Sequence, residues 1–324
     1  MPWKGMIGGR RIEPLSGGRR MSQSAQAHKA SSMLPVTLII PTKNEERNIR
    51  DCMECGGIFH QIIVYDSGSL DRTLEIAKES GARIVHHDFD DFSSHKNWAI
   101  DNIKFETEWI FILDADERIT AELQNELRAL FEAGPEADSY YVARRNIFKG
   151  KWLKYCGMYP DWQLRLFRSG AARYEGRLVH EHMLTKGPVG YLTHPLRHED
   201  FKGIERYIER HNHYSSLEAV ERYRLLKGKH LATKSADQGG YFPSALLSRR
   251  RRLKQWSYKY VPFRPFLVFI YMYLIKLGFL HGRMGLQYCF LRSFYEFQID
   301  LKFEELLEKN SALGQKYAQY IGEE

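Results

Sequence analysis

The chain has 324 residues, 43% hydrophobic and 27% charged, which is enough apolar content for one large domain or one domain with an appendage. Its formal charge of +8 points to an anionic partner, and with no zinc-finger spacing and no aromatic RNA-binding motif, no nucleic acid is expected; a membrane surface and phosphorylated substrates remain. Four scattered cysteines exclude a disulfide scaffold and fit a reducing compartment.

Residues 1–33 are rich in Gly, Arg, Ser and Ala and lack the apolar run of a secretory signal, so they read as a leader ahead of the fold. Val36 to Pro41 reads as a β-branched strand. A helix follows, with Asn44 as its expected N-cap and acids in its first turn. Cys52 and Cys55 form a C-x-x-C within that helix and, with no second pair, read as packed helix cysteines. Gln61 to Tyr65 is a second strand ending in Asp66-Ser67-Gly68-Ser69, and Asp71 and Thr73 open the next helix. Arg83 to His86 is a third strand, and the helix after its acidic loop carries His95, Lys96, Asn97 and Trp98. His86-His87-Asp88 reads as structural or solvated.

The fourth strand, Trp109 to Leu113, ends abruptly in Asp114-Ala115-Asp116-Glu117. A strand does not readily bury such charge, so the carboxylates belong just past its carboxyl end. Two carboxylates at that spacing suit Mg²⁺ or Mn²⁺, hard cations that share oxygen ligands with substrate phosphates. A plain acidic turn is the alternative. Strands alternating with helices predict a mostly parallel sheet covered on both faces, with ligands bound outside the carboxyl ends of its strands. Those ends carry Pro41, Asp66 and the Asp114/Asp116 pair.

Ala121 to Phe131 reads as an amphipathic helix and Ser139 to Phe148 as a strand rich in aromatics and arginine. The alternation over Gln163 to Arg168 predicts a half-buried strand, with Trp162 and Gln163 beside it as candidates for a sugar or acceptor pocket. Residues 201–228 read as one charged amphipathic helix. Arg249-Arg250-Arg251-Arg252 then precedes Trp256, Tyr258 and Tyr260, a combination that suits the headgroup layer of an anionic leaflet. Phe266 to Ile275 is wholly apolar but shorter than the roughly 20 residues a membrane span needs. An interfacial or re-entrant helix with Gly282 to Phe297 as its antiparallel partner is expected, with a buried helical hairpin as the alternative.

Pro41-Thr42-Lys43-Asn44-Glu45, Asp66-Ser67-Gly68-Ser69-Leu70-Asp71-Arg72-Thr73 and Asp114-Ala115-Asp116, in that order over roughly residues 34–200, resemble the motifs of family 2 glycosyltransferases with a GT-A fold. Asp161 to Phe167, Val179-His180-Glu181 and Gly278 to Arg283 look closest to the lipopolysaccharide core β-glucosyltransferases, which usually show Asp where this chain has His281.

The resemblance implies a Rossmann-like GT-A catalytic domain at 34–228; the coinciding basic run, aromatics and apolar helix make 229–324 a basic, helical membrane-associating region. The resemblance also implies an inverting transfer of a hexose, glucose by the subfamily, from a UDP-sugar to a lipid-linked saccharide such as a lipopolysaccharide core or polyprenyl-linked glycan. The place would be the cytoplasmic face of the inner membrane. Pro41 and Glu45 would shape the nucleotide site, Asp66 would accept from the uracil imide, Lys96 would approach the diphosphate, and Arg165 would steady the diphosphate or an anionic acceptor. Asp114 would contact ribose or metal, and Asp116 would bind Mg²⁺ or Mn²⁺. Glu181 would be the base that an inverting transfer needs, with Glu175 and Asp161 in reserve. His198 would be a further metal ligand or a loop residue. Two other readings stay open: a sugar-1-phosphate nucleotidyltransferase, and a non-enzymatic basic adaptor that binds membrane or nucleic acid.

Overall fold

Strand β1 (Leu34–Thr42) lies between β2 (Phe59–Asp66) and β4 (Trp109–Ile112), and β3 (Arg83–His86) pairs outside β2, all four parallel. The computed structural model describes residues 33–89, 91–178, 182–200, 202–228, 241 and 245–321. Successive side chains of a strand point to opposite faces. Val36, Leu38 and Ile40 therefore enter one core cluster, while Ile39 joins Ile63, Ile110 and Ile112 in a second. Both faces being covered explains why these strands are almost continuously apolar. Helices α1 (Ile49–Cys55), α2 (Thr73–Glu79) and α3 (Phe92–Asn102) make the crossovers. Asp91 caps α3 by accepting from the Ser93 and Ser94 amides.

The expected N-cap at Asn44 is corrected. Helix α1 begins only at Ile49, after Asn48. Asn44 instead takes a left-handed backbone (φ 57°), which asparagine tolerates, and its Oδ1 accepts from the Leu70 amide at 2.8 Å. The β1–α1 loop is thereby stitched to the loop after β2. Cys52 and Cys55 are free and packed, as expected; the Cys55 sulfur accepts from the Ile119 amide at 3.2 Å.

Beyond β4 the sheet becomes mixed. The further elements are β5 (Glu117–Ile119), α4 (Ala121–Ala133), β6 (Ser139–Phe148), β7 (Lys151–Trp152), β8 (Asp161–Arg168), β9 (Ala172–Tyr174), β10 (Met183–Thr185) and β11 (Val189–Glu199). The main sheet runs β3-β2-β1-β4-β8-β6-β11-β5, with β7 on β6, while β9 and β10 form a separate hairpin. Strand β8 is antiparallel to both β4 and β6. Its first residues thus reach the end of the sheet where β1, β2 and β4 finish. The segment read as an acidic turn also contains β5, because Ile119 is buried and pairs antiparallel with Leu196 of β11.

The carboxyl-terminal elements are α5 (Gly203–Leu226), α6 (Ala245–Tyr260), α7 (Arg264–Ile270), a π turn at Tyr271–Ile275, a 3-10 turn at Gly278–His281 and α8 (Gly282–Leu307). Ion pairs tie them together: Arg222–Asp300 at 2.6 Å, Lys254–Glu218 at 2.6 Å and the buried Arg264–Glu296 at 2.7 Å. Two short segments, α9 (Ala312–Lys316) and α10 (Ala318–Ile321), follow.

The segment joining α7 to α8 is bonded to the loop before β8. The Cys156 amide donates to the Lys276 carbonyl at 2.9 Å, and the Tyr155 amide donates to His281 Nε2 at 3.1 Å. Burial holds the His281 ring below its usual pKa, which keeps that nitrogen an acceptor. An aspartate at the same place would also be an acceptor. The turn itself depends on Gly285, where an added Cβ would lie 2.0 Å from the Gly278 carbonyl oxygen. Gly285→Ala is expected to cost about 1–3 kcal/mol through this backbone clash, read as a lower urea midpoint.

Candidate active site

The turn after β4 is locked on itself. The Glu117 amide donates to the Asp114 carbonyl at 2.8 Å, and the Asp114 amide donates to Glu117 Oε2 at 3.2 Å. Beneath the turn lies Arg165 of β8, only 4% exposed, whose Nη2 donates to Asp114 Oδ2 and Glu117 Oε1, both at 2.6 Å. Arg144 of β6 lies 3.5 Å from the same Glu117 oxygen and donates through Nε and Nη2 to Asp161 Oδ2 at 3.0 and 2.8 Å. Lys96 of α3 stands over the Tyr174 ring with its ammonium 3.8 Å from Asp114 Oδ1.

This arrangement separates the roles of the acids. Burial works against charge on Asp114, but Arg165 and Lys96 outweigh it and hold that carboxyl far below the usual carboxylate range. Glu117, wholly buried, is pushed up by its burial against the pull of Arg165. Asp116 is partly open. Burial raises it, His198 opposes that with Nε2 3.3 Å from Asp116 Oδ2, and the net shift is downward. Asp116 is therefore an ionised carboxylate, its side chain 18% exposed against 31% for Asp114, and it lines a shallow depression with Asp51, Arg118, Arg197 and Glu199.

On the β1 side, Glu45 sits within electrostatic reach of Asp116. Its Oε1 accepts from Lys202 at 2.5 Å and its Oε2 from Asn48 at 2.9 Å, yet burial leaves it above its ordinary pKa. Pro41, half-buried, pairs in register with Tyr65. Asp66 has no exposed surface. It accepts from the Gly68 and Ser69 amides at 2.9 and 3.0 Å, from the Ser69 hydroxyl, and from the Thr42 hydroxyl at 3.3 Å. Those four donors fill the acceptor positions of one carboxylate, so in this structure Asp66 shapes the loop that bears it.

Glu45, Lys96, Asp114, Asp116 and Arg165 thus gather at one end of the sheet. Arg165, expected at the diphosphate or an anionic acceptor, lies under the carboxylates and braces them. Glu181 lies outside the described residues. Glu175 is 2% exposed and its Oε1 accepts from the His182 amide at 3.1 Å within the β9–β10 hairpin. Asp161 accepts from Arg144, Asn146 and Gln163, and Arg144 draws its carboxyl down against burial, which makes it a weak base. Trp162 packs edge-on against Tyr191 at 5.0 Å. The bracing residues Glu117, Arg144 and Asn146 received no role from the sequence. Its one signal was the arginine-rich stretch Arg144-Arg145-Asn146 at the end of an otherwise buried strand.

Among the described residues, no three His, Cys, Asp or Glu side chains converge as a ready metal cage. The donor chemistry nevertheless fits Mg²⁺ or Mn²⁺. Such ions keep several waters and bind through one or two protein groups plus substrate phosphates, which a partly exposed Asp116 beside the His198 nitrogen allows.

The family model described as Glycosyl transferase family 2 matches residues 37–185. The chain is 30% identical over 193 residues to the lipopolysaccharide core biosynthesis glycosyltransferase LpsC of Rhizobium meliloti, covering 57% of this chain and 71% of that protein. An uncharacterized glycosyltransferase of Rickettsia typhi is 26% identical over 202 residues, covering 58% and 68%. Among solved structures, a glucosyl-3-phosphoglycerate synthase from Mycobacterium tuberculosis, crystallised with Mn²⁺, UDP and glucosyl-3-phosphoglycerate, is 19% identical with a TM-score of 0.30. That overlap covers 40% of this chain and about half (51%) of the other, and it is too slight to bear on the chemistry here. The family match coincides with the parallel strands and the acidic turn just described, and the chain belongs to glycosyltransferase family 2, as a GT-A-type glycosyltransferase that resembles the lipopolysaccharide core enzymes.

Proposed function

We propose that the chain is a metal-dependent, inverting hexosyltransferase that uses a UDP-sugar, with glucose as the hexose, and a lipid-linked saccharide as acceptor. The observation that carries this reading is the carboxylate pair at the end of β4: Asp114 held ionised by Arg165 and Lys96, and Asp116 ionised and partly exposed beside His198. Asp116 and His198 would hold Mg²⁺ or Mn²⁺, and Asp114 would contact the ribose or that metal. When bound, the cation neutralises charge that builds on the departing diphosphate. Lys96 adds a further positive charge at the same mouth. The loop bearing Pro41 and Glu45 and the loop shaped by Asp66 flank the nucleotide, and Asp66 itself reaches the uracil imide only if the Ser69 hydroxyl turns away. Inversion needs one base opposite the leaving group, and Glu181 is assigned to take the proton of the acceptor hydroxyl. A donor panel tests the nucleotide: UDP-glucose is expected to bind at least about tenfold more tightly than GDP-mannose in the presence of Mn²⁺, a difference of about 1.4 kcal/mol. Equal binding of the two would sink the UDP assignment.

The amphiphilic acceptor is supported by the carboxyl-terminal hairpin. No single described helix is long and apolar enough to cross a membrane, but Arg264–Ile275 and Gly278–Leu307, bent by 71°, are so as a pair. Phe263 (84% exposed), Phe266 (61%), Ile275 (67%) and Phe290 (59%) face outward, and α6 adds exposed Arg249, Arg252 and Trp256. Exposed apolar groups near a basic helix match an anionic leaflet, here the cytoplasmic face of the inner membrane. Phe266→Ser with Phe290→Ser is expected to weaken co-sedimentation with phosphatidylglycerol vesicles by about tenfold or more. Unchanged co-sedimentation would remove the hairpin from membrane contact.

A further inference from the structure

Asn146 lies next to the proposed metal ligands without joining them, and its orientation is determined by its neighbours. Strands β6 and β11 are parallel partners in a register that sets Asn146 against His198. On one side, Asn146 Nδ2 donates to Asp161 Oδ2 at 3.3 Å; on the other, Asn146 Oδ1 lies 2.9 Å from His198 Nδ1. Asp161 is a carboxylate drawn down by Arg144, and an ionised carboxylate only accepts hydrogen bonds. The nitrogen end of the amide must therefore face Asp161 and the oxygen end must face His198. It follows that His198 Nδ1 carries a hydrogen and donates it. In the neutral ring Nε2 is then a bare lone pair, and it points at Asp116 Oδ2 from 3.3 Å. Two acceptors at that separation need a bridging positive charge, which a proton on Nε2 supplies in the imidazolium form and a divalent cation can supply when the ring is neutral.

We propose that Asn146 is a positioning residue: through its side-chain oxygen it fixes His198 in the Nδ1–H tautomer, so that Nε2 and Asp116 together present a divalent-cation site. Asp161 is the anchor of this device. Arg144 and Gln163 hold Asp161, Asp161 holds the amide, and the amide holds the imidazole. A partner for the second ring nitrogen commonly fixes the tautomer and orientation of a metal-ligating histidine. The inference rests on the metal-dependent reading above.

The test has two readouts, neither of which is turnover. Nitrogen-15 NMR of His198 in the full chain at pH 8, without metal, is expected to show the Nδ1–H tautomer. Asn146→Leu should lose that preference. Mn²⁺ binding in the presence of UDP, followed by electron paramagnetic resonance, is expected to weaken about 10–100-fold in Asn146→Leu. An Nε2–H tautomer in the unmodified protein overturns the proposal, and so does an Asn146→Leu variant that binds Mn²⁺ within twofold of the parent. If the parent shows the Nδ1–H tautomer but takes up no Mn²⁺, the metal-dependent reading itself fails and the positioning role falls with it. If the parent takes up Mn²⁺ and Asn146→Leu does so equally, only the positioning role fails.

Discussion

Arg165→Met is expected to destabilise the chain by about 3–5 kcal/mol, the range for removing one member of a buried ion pair. Arg165 is almost fully buried and is bonded to both Asp114 and Glu117. Methionine fills much of its volume but leaves both acids facing an apolar side chain. Asp114 would keep Lys96 at 3.8 Å and Glu117 would keep Arg144 at 3.5 Å, contacts too long to replace two bonds of 2.6 Å. Equilibrium urea unfolding reads the effect directly. A loss below about 1 kcal/mol would mean that the pairs behave as solvent-screened surface contacts and that the turn after β4 is held by its backbone alone.

The parts of the fold legible in the sequence are those set by local pattern. The β-branched, nearly continuous apolar runs of β1, β2 and β4 identify strands buried on both faces, and polar residues directly after each run mark the strand ends. Asp114 and Asp116 stood out because two charges cannot follow such a run inside a core. The packing of Cys52 and Cys55 was legible for a similar reason, since a lone C-x-x-C inside a helix has nowhere else to go.

What escaped was set by distant pairing. Arg165 meets Asp114 only because β8 inserts antiparallel between β4 and β6, and no local period announces that insertion. The facing of Asn146 and His198 depends on the register of β6 against β11, set across 52 residues of chain. Strand β5 is too short to show a period, and its existence depends on the same β11. Asn44 misled because asparagine serves equally as a helix cap and as a left-handed loop residue, and the neighbouring loop at Leu70 decides between the two.

The largest functional effect is expected at Asp116. Asn is nearly the same size, so Asp116→Asn should fold as the parent does. It removes the negative charge, however, and a neutral amide is a poor ligand for Mg²⁺ or Mn²⁺ beside a diphosphate. Transfer should fall by about a hundredfold or more, the scale seen when one preorganised electrostatic group is lost from a reaction centre. The most direct test is calorimetric titration of UDP into the parent and Asp116→Asn, each with and without Mn²⁺. The account predicts that Mn²⁺ tightens UDP binding at least about tenfold in the parent, a coupling of about 1.4 kcal/mol, and has no effect in Asp116→Asn. UDP binding that ignores Mn²⁺ in the parent, or a Mn²⁺ effect that survives in Asp116→Asn, would contradict it.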